Sequence, residues 1–346
     1  MNKKIYIFAP ARLASGGPEA LHQLRYYMEK EGIDAWIVYI GNHKQKAEDA
    51  IPERYLHFFP MGKKCIWEDE YKDTSDNLII MPEFYSFKLL AYPRSRRAIW
   101  WLGVFAYDGK RIDLDKKWLS QFNIFVRVLK RFKYTLKYFV DSAKAYYLYH
   151  FGRVVNYCAS QFAYEFVNGK KHQKAVMLVE PISTEFLEAG YVSVSDLNAR
   201  LDGILYNPSK PSEIMSILLE RGRFNYIPIK GYTPEKMINL YRKNKLYVDF
   251  GKFPGPERMP KEAVYNGCNI LVRKNNASVN EFDVAIPDKY KLENVSDPEM
   301  VEGIIQEMLQ HYEEQFSDFD YFRKKIDNLE KNFENAIREQ FADYIV

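Results

Sequence analysis

The chain has 346 residues, 47% of them hydrophobic and 28% charged, with a formal net charge of +4. That is chain enough for two domains of ordinary globular composition, and the charge is too mild to argue for nucleic acid. Three cysteines, odd in number and far apart (Cys65, Cys158, Cys268), exclude a disulfide framework and a zinc spacing, so a reducing, cytoplasmic setting is expected.

In chain order, Lys4–Ala9 reads as a strand, too short for a signal h-region. A Gly/Ser/Ala-rich loop, Pro10–Pro18, leads into a helical pattern over Glu19–Glu31, and Ala35–Ile40 reads as a second strand. Gly16 and Gly17 stand at this strand-to-helix turn, where glycine permits close approach of a ligand; a tight turn before a capped helix explains them equally. The full G-x-G-x-x-G spacing is absent, which argues against a dinucleotide site. His22, one turn into the helix, is a candidate for contact with a substrate phosphate or hydroxyl, against a structural role.

Strands are expected at Leu78–Met81 and Ala98–Trp101. Glu83, just past the first, is a candidate general base; a solvent-facing or capping acid is the plainer reading. Trp101 is a candidate floor for a sugar, against core packing. Asp108 is a second candidate base, although Asp-Gly also starts turns. Segment 116–150 interleaves basic and aromatic residues, and around Phe125–Phe139 the apolar positions recur at helical spacing with bases on the other side. An anionic membrane surface and a solvated basic face over an aromatic core both fit. No apolar run approaches the length that spans a bilayer.

A second β/α series follows from Val154, with strands expected at Ala175–Val179, Gly203–Tyr206, Tyr226–Ile229, Leu246–Phe250 and Asn269–Val272. Lys210, and Lys230 with Gly231, follow two of these strands and suit a diphosphate. After Leu246–Phe250 comes a loop in which Gly251 and Gly255 permit close approach of the backbone to another group and three prolines hold one shape. Glu257, Arg258, Pro260 and Glu262 surround the helix start beyond it, a place that suits phosphate; a rigid turn is the alternative. The tail from Asp297 is charged and helical, and one long helix crossing back onto the first half is expected. No metal cluster is visible, so neither metal nor other cofactor is expected.

The frame V-D-F-G-x-x-P-G-x-[DE]-R-x-P-x-E-A-x-x-x-G-C, matched by Val248–Cys268, resembles GT-B-fold bacterial glycosyltransferases of capsule, O-antigen and lipopolysaccharide synthesis. The likeness extends through Tyr206–Lys210, Ile229–Leu240 and Asp283–Pro287, and at the N-terminus through Gly16–Glu19 and His22–Leu24. It implies an α/β fold of two Rossmann-like, doubly wound domains facing a cleft. Their implied limits are 1–165 (acceptor domain) and 166–320 (donor domain), with 321–346 returning to the first. It also implies sugar transfer from a nucleotide sugar to a glycan or lipid-linked acceptor. By the same resemblance Glu262 holds the ribose hydroxyls, and Arg258 and Lys210 balance the leaving diphosphate. Pro254 stands where retaining relatives carry a second Glu, so stereochemistry stays open. A degenerate transferase acting as a scaffold and a nucleotide-sugar epimerase are the competing classes.

Overall fold

The structure, a computed structural model, describes residues 3–41, 45–104, 123–169, 173–197, 199–210 and 212–345. The chain forms two compact units, residues 1–178 with 334–346, and residues 179–333.

The first unit is built on seven parallel strands: β1 (Lys4–Pro10), β2 (Ala35–Ile40), β3 (Cys65–Trp67), β4 (Asn77–Pro82), β5 (Arg96–Trp101), β6 (Val155–Cys158) and β7 (Ala175–Met177), in the order β3-β2-β1-β4-β5-β6-β7. Its main helices are α1 (Gly16–Lys30), α2 (Ile124–Phe151) and α3 (Gln161–Asn168). A parallel sheet is covered on both faces, so its central strands are apolar throughout rather than alternating; all six residues of β4 are buried. β1 pairs with β2 on one side (Ile7 beside Ile37) and with β4 on the other (Ile7 beside Ile80). Strand order therefore reverses at β1/β4, and the strand ends there open the crevice that doubly wound sheets use for ligands.

The second unit holds α4 (Thr184–Glu188), β8 (Leu201–Tyr206), α5 (Glu213–Arg221), β9 (Asn225–Pro228), α6 (Pro234–Lys243), β10 (Asn244–Asp249), α7 (Arg258–Tyr265), β11 (Asn269–Arg273) and β12 (Lys291–Leu292). Helices α8 (Pro298–Gln310), α9 (Tyr312–Phe316) and α10 (Asp320–Asp327) follow. Its five parallel strands run β12-β11-β10-β8-β9, which puts the reversal between β8 and β10, where Val248 lies beside Tyr206. Helix starts are capped as their sequences dictate: Ser212 accepts from the Met215 amide, Thr233 from Lys236, and Asp297 from Glu299.

Three expectations change. Ala175–Met177 belongs to the first sheet, pairing with β6, so the first unit runs to Leu178 rather than 165. Short apolar runs reveal strands without revealing which sheet they join. The expected long last helix is broken: after α8 and α9 it comes as α10 and α11 (Leu329–Gln340). Its buried residues keep i+3/i+4 spacing across the breaks, so periodicity does not register them. The tail does return to the first sheet's unit: Ile337 and Phe341 are buried, the Phe341 ring lies 5.1 Å from Tyr157, and Arg338 makes a two-pronged ion pair with Glu31 at 2.5 and 2.8 Å.

Candidate functional site

In the second unit, the strand ends at the β8/β10 reversal carry a compact group of charges. After β8 the Asn207 side chain accepts from the Ser209 amide, and the resulting turn presents Lys210. Lys210 Nζ lies 2.6 Å from Glu257, 3.2 Å from Asp249 at the end of β10, and 4.6 Å from the centre of the Phe253 ring. Asp249 also accepts from the Gly251 amide at 3.0 Å. A Cβ on Gly251 would stand 3.0 Å from the Lys210 Cβ and 3.2 Å from the Asp249 carboxylate, so glycine is what lets the loop close over the lysine. Asn275 fixes the loop from the far side, donating to the Gly251 carbonyl and accepting from the Phe253 amide.

Gly255, Pro256 and Pro260 are buried and hold the approach to α7. Arg258, the first residue of α7, reaches Ser183 Oγ at 3.4 Å. Behind it lies a second group that sequence reasoning missed: Glu180, Lys261 and Asp283, all nearly fully buried. Burial pushes the Glu180 carboxyl up, against the pull of Lys261 and Arg258, and pushes the Lys261 ammonium down, against Glu180 and Asp283. Burial likewise raises Glu257, against Lys210. Glu262 is buried on α7; burial above all holds the Tyr241 and Tyr247 phenols in the neutral form, and the Glu262 charge adds to it. Lys230 and Gly231 stand exposed past the edge strand β9, one strand from the reversal; Gly231 has a φ of +69°. The structure thus brings Lys210, Glu257 and Arg258 to one helix start, with Asp249 as an unforeseen partner, and leaves Lys230 apart.

In the first unit, Glu83 follows β4 at the β1/β4 reversal, is 6% exposed, and accepts from the Leu102 amide at 3.1 Å. Gly16 and Gly17 open α1, and a Cβ on Gly17 would make only ordinary contact, 3.8 Å from Leu102. Glu83 and the glycine turn therefore share Leu102 as a neighbour.

Two candidates are placed in the core. His22 is fully buried; Nδ1 donates to the Pro18 carbonyl at 2.6 Å, so neutral Nε2 accepts from Tyr39 Oη at 2.9 Å. Burial lowers its pKa to about 4. Trp101 is also fully buried, donating to Asn156 at 2.9 Å with its ring edge-on to Tyr149. As placed, neither offers a face to a ligand. Asp108 lies outside the described residues. Among the described residues no group of three or more His, Cys, Asp or Glu is placed to hold a metal ion.

No family model matches the chain, and no curated protein matches it in sequence. Solved structures do resemble it. TarM superposes with a TM-score of 0.67 at 8% identity, over 99% of this chain and 98% of that one. Sucrose-phosphate synthase from Thermosynechococcus elongatus gives 0.61 at 12% identity over 99% of both chains. An alpha-glucosyltransferase in complex with UDP gives 0.51 at 11% identity, over 99% of this chain and all of that one. With its two parallel sheets and full-length likeness to these structures, the chain has the GT-B glycosyltransferase fold.

Proposed function

We propose that the chain transfers a sugar from a nucleotide-sugar donor to a hydroxyl of a glycan or lipid-linked acceptor, in bacterial surface polysaccharide synthesis at the cytoplasmic side of the membrane. The observation that carries this reading is the Lys210–Asp249–Glu257 group at the start of α7, set at the reversal point of a GT-B second sheet. A fixed cation beside a helix N-terminus suits a nucleoside diphosphate.

In this reading the second unit takes the donor. Lys210 and Arg258 meet the diphosphate, and Glu262 accepts from the ribose hydroxyls. The acceptor oxygen forms a bond to the anomeric carbon as the bond from that carbon to the diphosphate oxygen breaks. The electron pair leaves on the diphosphate, where the cations and the helix dipole stabilise it. If the reaction inverts, Glu83 takes the acceptor's proton; its hydrogen bond to the Leu102 amide fixes the carboxylate's orientation.

The test is thermal unfolding against UDP, GDP, CMP and dTDP sugars. One nucleotide series should raise the midpoint, because a ligand of the folded state stabilises by mass action. Glu262→Ala and Lys210→Ala should each abolish that shift. A full shift in both variants, or none with any nucleotide in the parent, overturns the reading.

A further inference from the structure

Helix α2 carries a surface that sugar transfer itself does not require. It runs 28 residues, Ile124–Phe151, between Asn123, which caps it by accepting from the Val126 amide, and Gly152. Its C-terminal end is rooted: Ala145, Leu148 and Tyr149 are buried, and the last two join the core cluster of Leu89 and Trp101. The rest presents large apolar side chains outward. Phe125, Leu129, Phe132, Leu136, Phe139 and Tyr147 are each between 53% and 80% exposed. At about 100° per residue they lie within about 40° of the direction of Phe125. The rooted residues point about 120° or more away from it. The stripe is therefore the face turned from the protein, where an ordinary surface helix places its charges.

Bases flank the stripe. Lys133, Lys137 and Lys144 line one side at about 80–120°, and Arg131 stands at a similar angle on the other. The helix holds six Lys or Arg (Arg127, Lys130, Arg131, Lys133, Lys137, Lys144) against the single acid Asp141. Such a stripe with cationic borders matches an anionic bilayer, with rings and leucines among the acyl chains and ammonium groups at the headgroups. A second copy laid stripe to stripe would bring like-charged borders together. Among the described residues no helix is long and apolar enough to cross a membrane, so this helix would lie in the interface plane.

We infer that α2 is a docking surface for an anionic lipid bilayer. The root of α2 packs on the segment Glu83–Ala91, whose first residue is the proposed base. Docking would therefore hold that segment within one helix diameter, roughly 10 Å, of the lipid surface, which suits a lipid-linked acceptor. This last step rests on the proposed transfer reaction; the docking does not.

The test is co-sedimentation of the full chain with phosphatidylcholine vesicles, with and without phosphatidylglycerol. The parent should pellet with the anionic vesicles and stay in solution with the neutral ones. Each base near an anionic surface strengthens binding roughly fivefold, so Lys133→Glu/Lys137→Glu/Lys144→Glu should weaken it at least about a hundredfold. Leu129→Ser/Phe132→Ser/Leu136→Ser should also lose binding. An unchanged unfolding midpoint in both variants shows that the fold is intact, and their nucleotide shift reports separately on the transfer reading. A parent that ignores anionic vesicles, folded variants that bind like the parent, or a lipid-indifferent dimer dissolved by the serine variant would overturn the proposal.

Discussion

At the residue scale, Gly251 and His22 have opposite fates. The glycine was singled out as a place for close approach, and what approaches is Lys210 of the neighbouring turn. Gly251→Ala should push Lys210 from Asp249, costing about 1–3 kcal/mol of stability in denaturant unfolding, because the contact leaves too little room for a methyl group. His22 was singled out as a ligand contact and lies in the core instead. Its folded-state pKa of about 4 is below the ordinary value, so the unfolded chain binds its proton first as pH falls. The stability tied to neutral His22 is complete above about pH 6.5 and is lost between there and about pH 4, amounting to about 3 kcal/mol. Unfolding midpoints measured at pH 7 and pH 4.5 should converge in His22→Gln relative to the parent; an equal acid loss in both proteins would contradict the assignment.

At the element scale, the chain's end is part of the first sheet's unit. Ile337 and Phe341 are fully buried there, although the chain that leads to them, residues 179–333, forms the other unit. Ile337→Ala and Phe341→Ala should each destabilise that unit by about 2–5 kcal/mol, read as an early transition in thermal unfolding. The return of the tail was expected from the resemblance, which implies that 321–346 goes back to the first half. Strands β1, β2, β4, β5, β8, β9, β10 and β11 were legible as apolar runs closed by turn residues. Strand β3, three residues long, and β6 carried too little pattern, and β7 gave no sign of its sheet. The α2 stripe was visible as a period; which side faced the protein depended on the burial of Ala145, Leu148 and Tyr149.

At the scale of the whole molecule, the GT-B fold was legible because two β/α series and one loop frame agreed. The site was legible only in part. Lys210, Glu257, Arg258 and Gly251 sit where strand ends suggested, since turn chemistry is local. Asp249 and the buried Glu180–Lys261–Asp283 group were not, because their partners come from strands and loops far apart in sequence, joined by the β8/β10 order. The measurement that bears most directly on the central claim is sugar transfer itself. The parent chain, given the nucleotide sugar that stabilises it and a short glycan or lipid-linked acceptor, should release nucleoside diphosphate and glycosylated product in equal amounts. Lys210→Ala should lower that rate at least about a hundredfold, as loss of a charge that stabilises the leaving group does. A stabilising nucleotide sugar that is never consumed with any acceptor, or a Lys210→Ala variant as fast as the parent, would contradict the account.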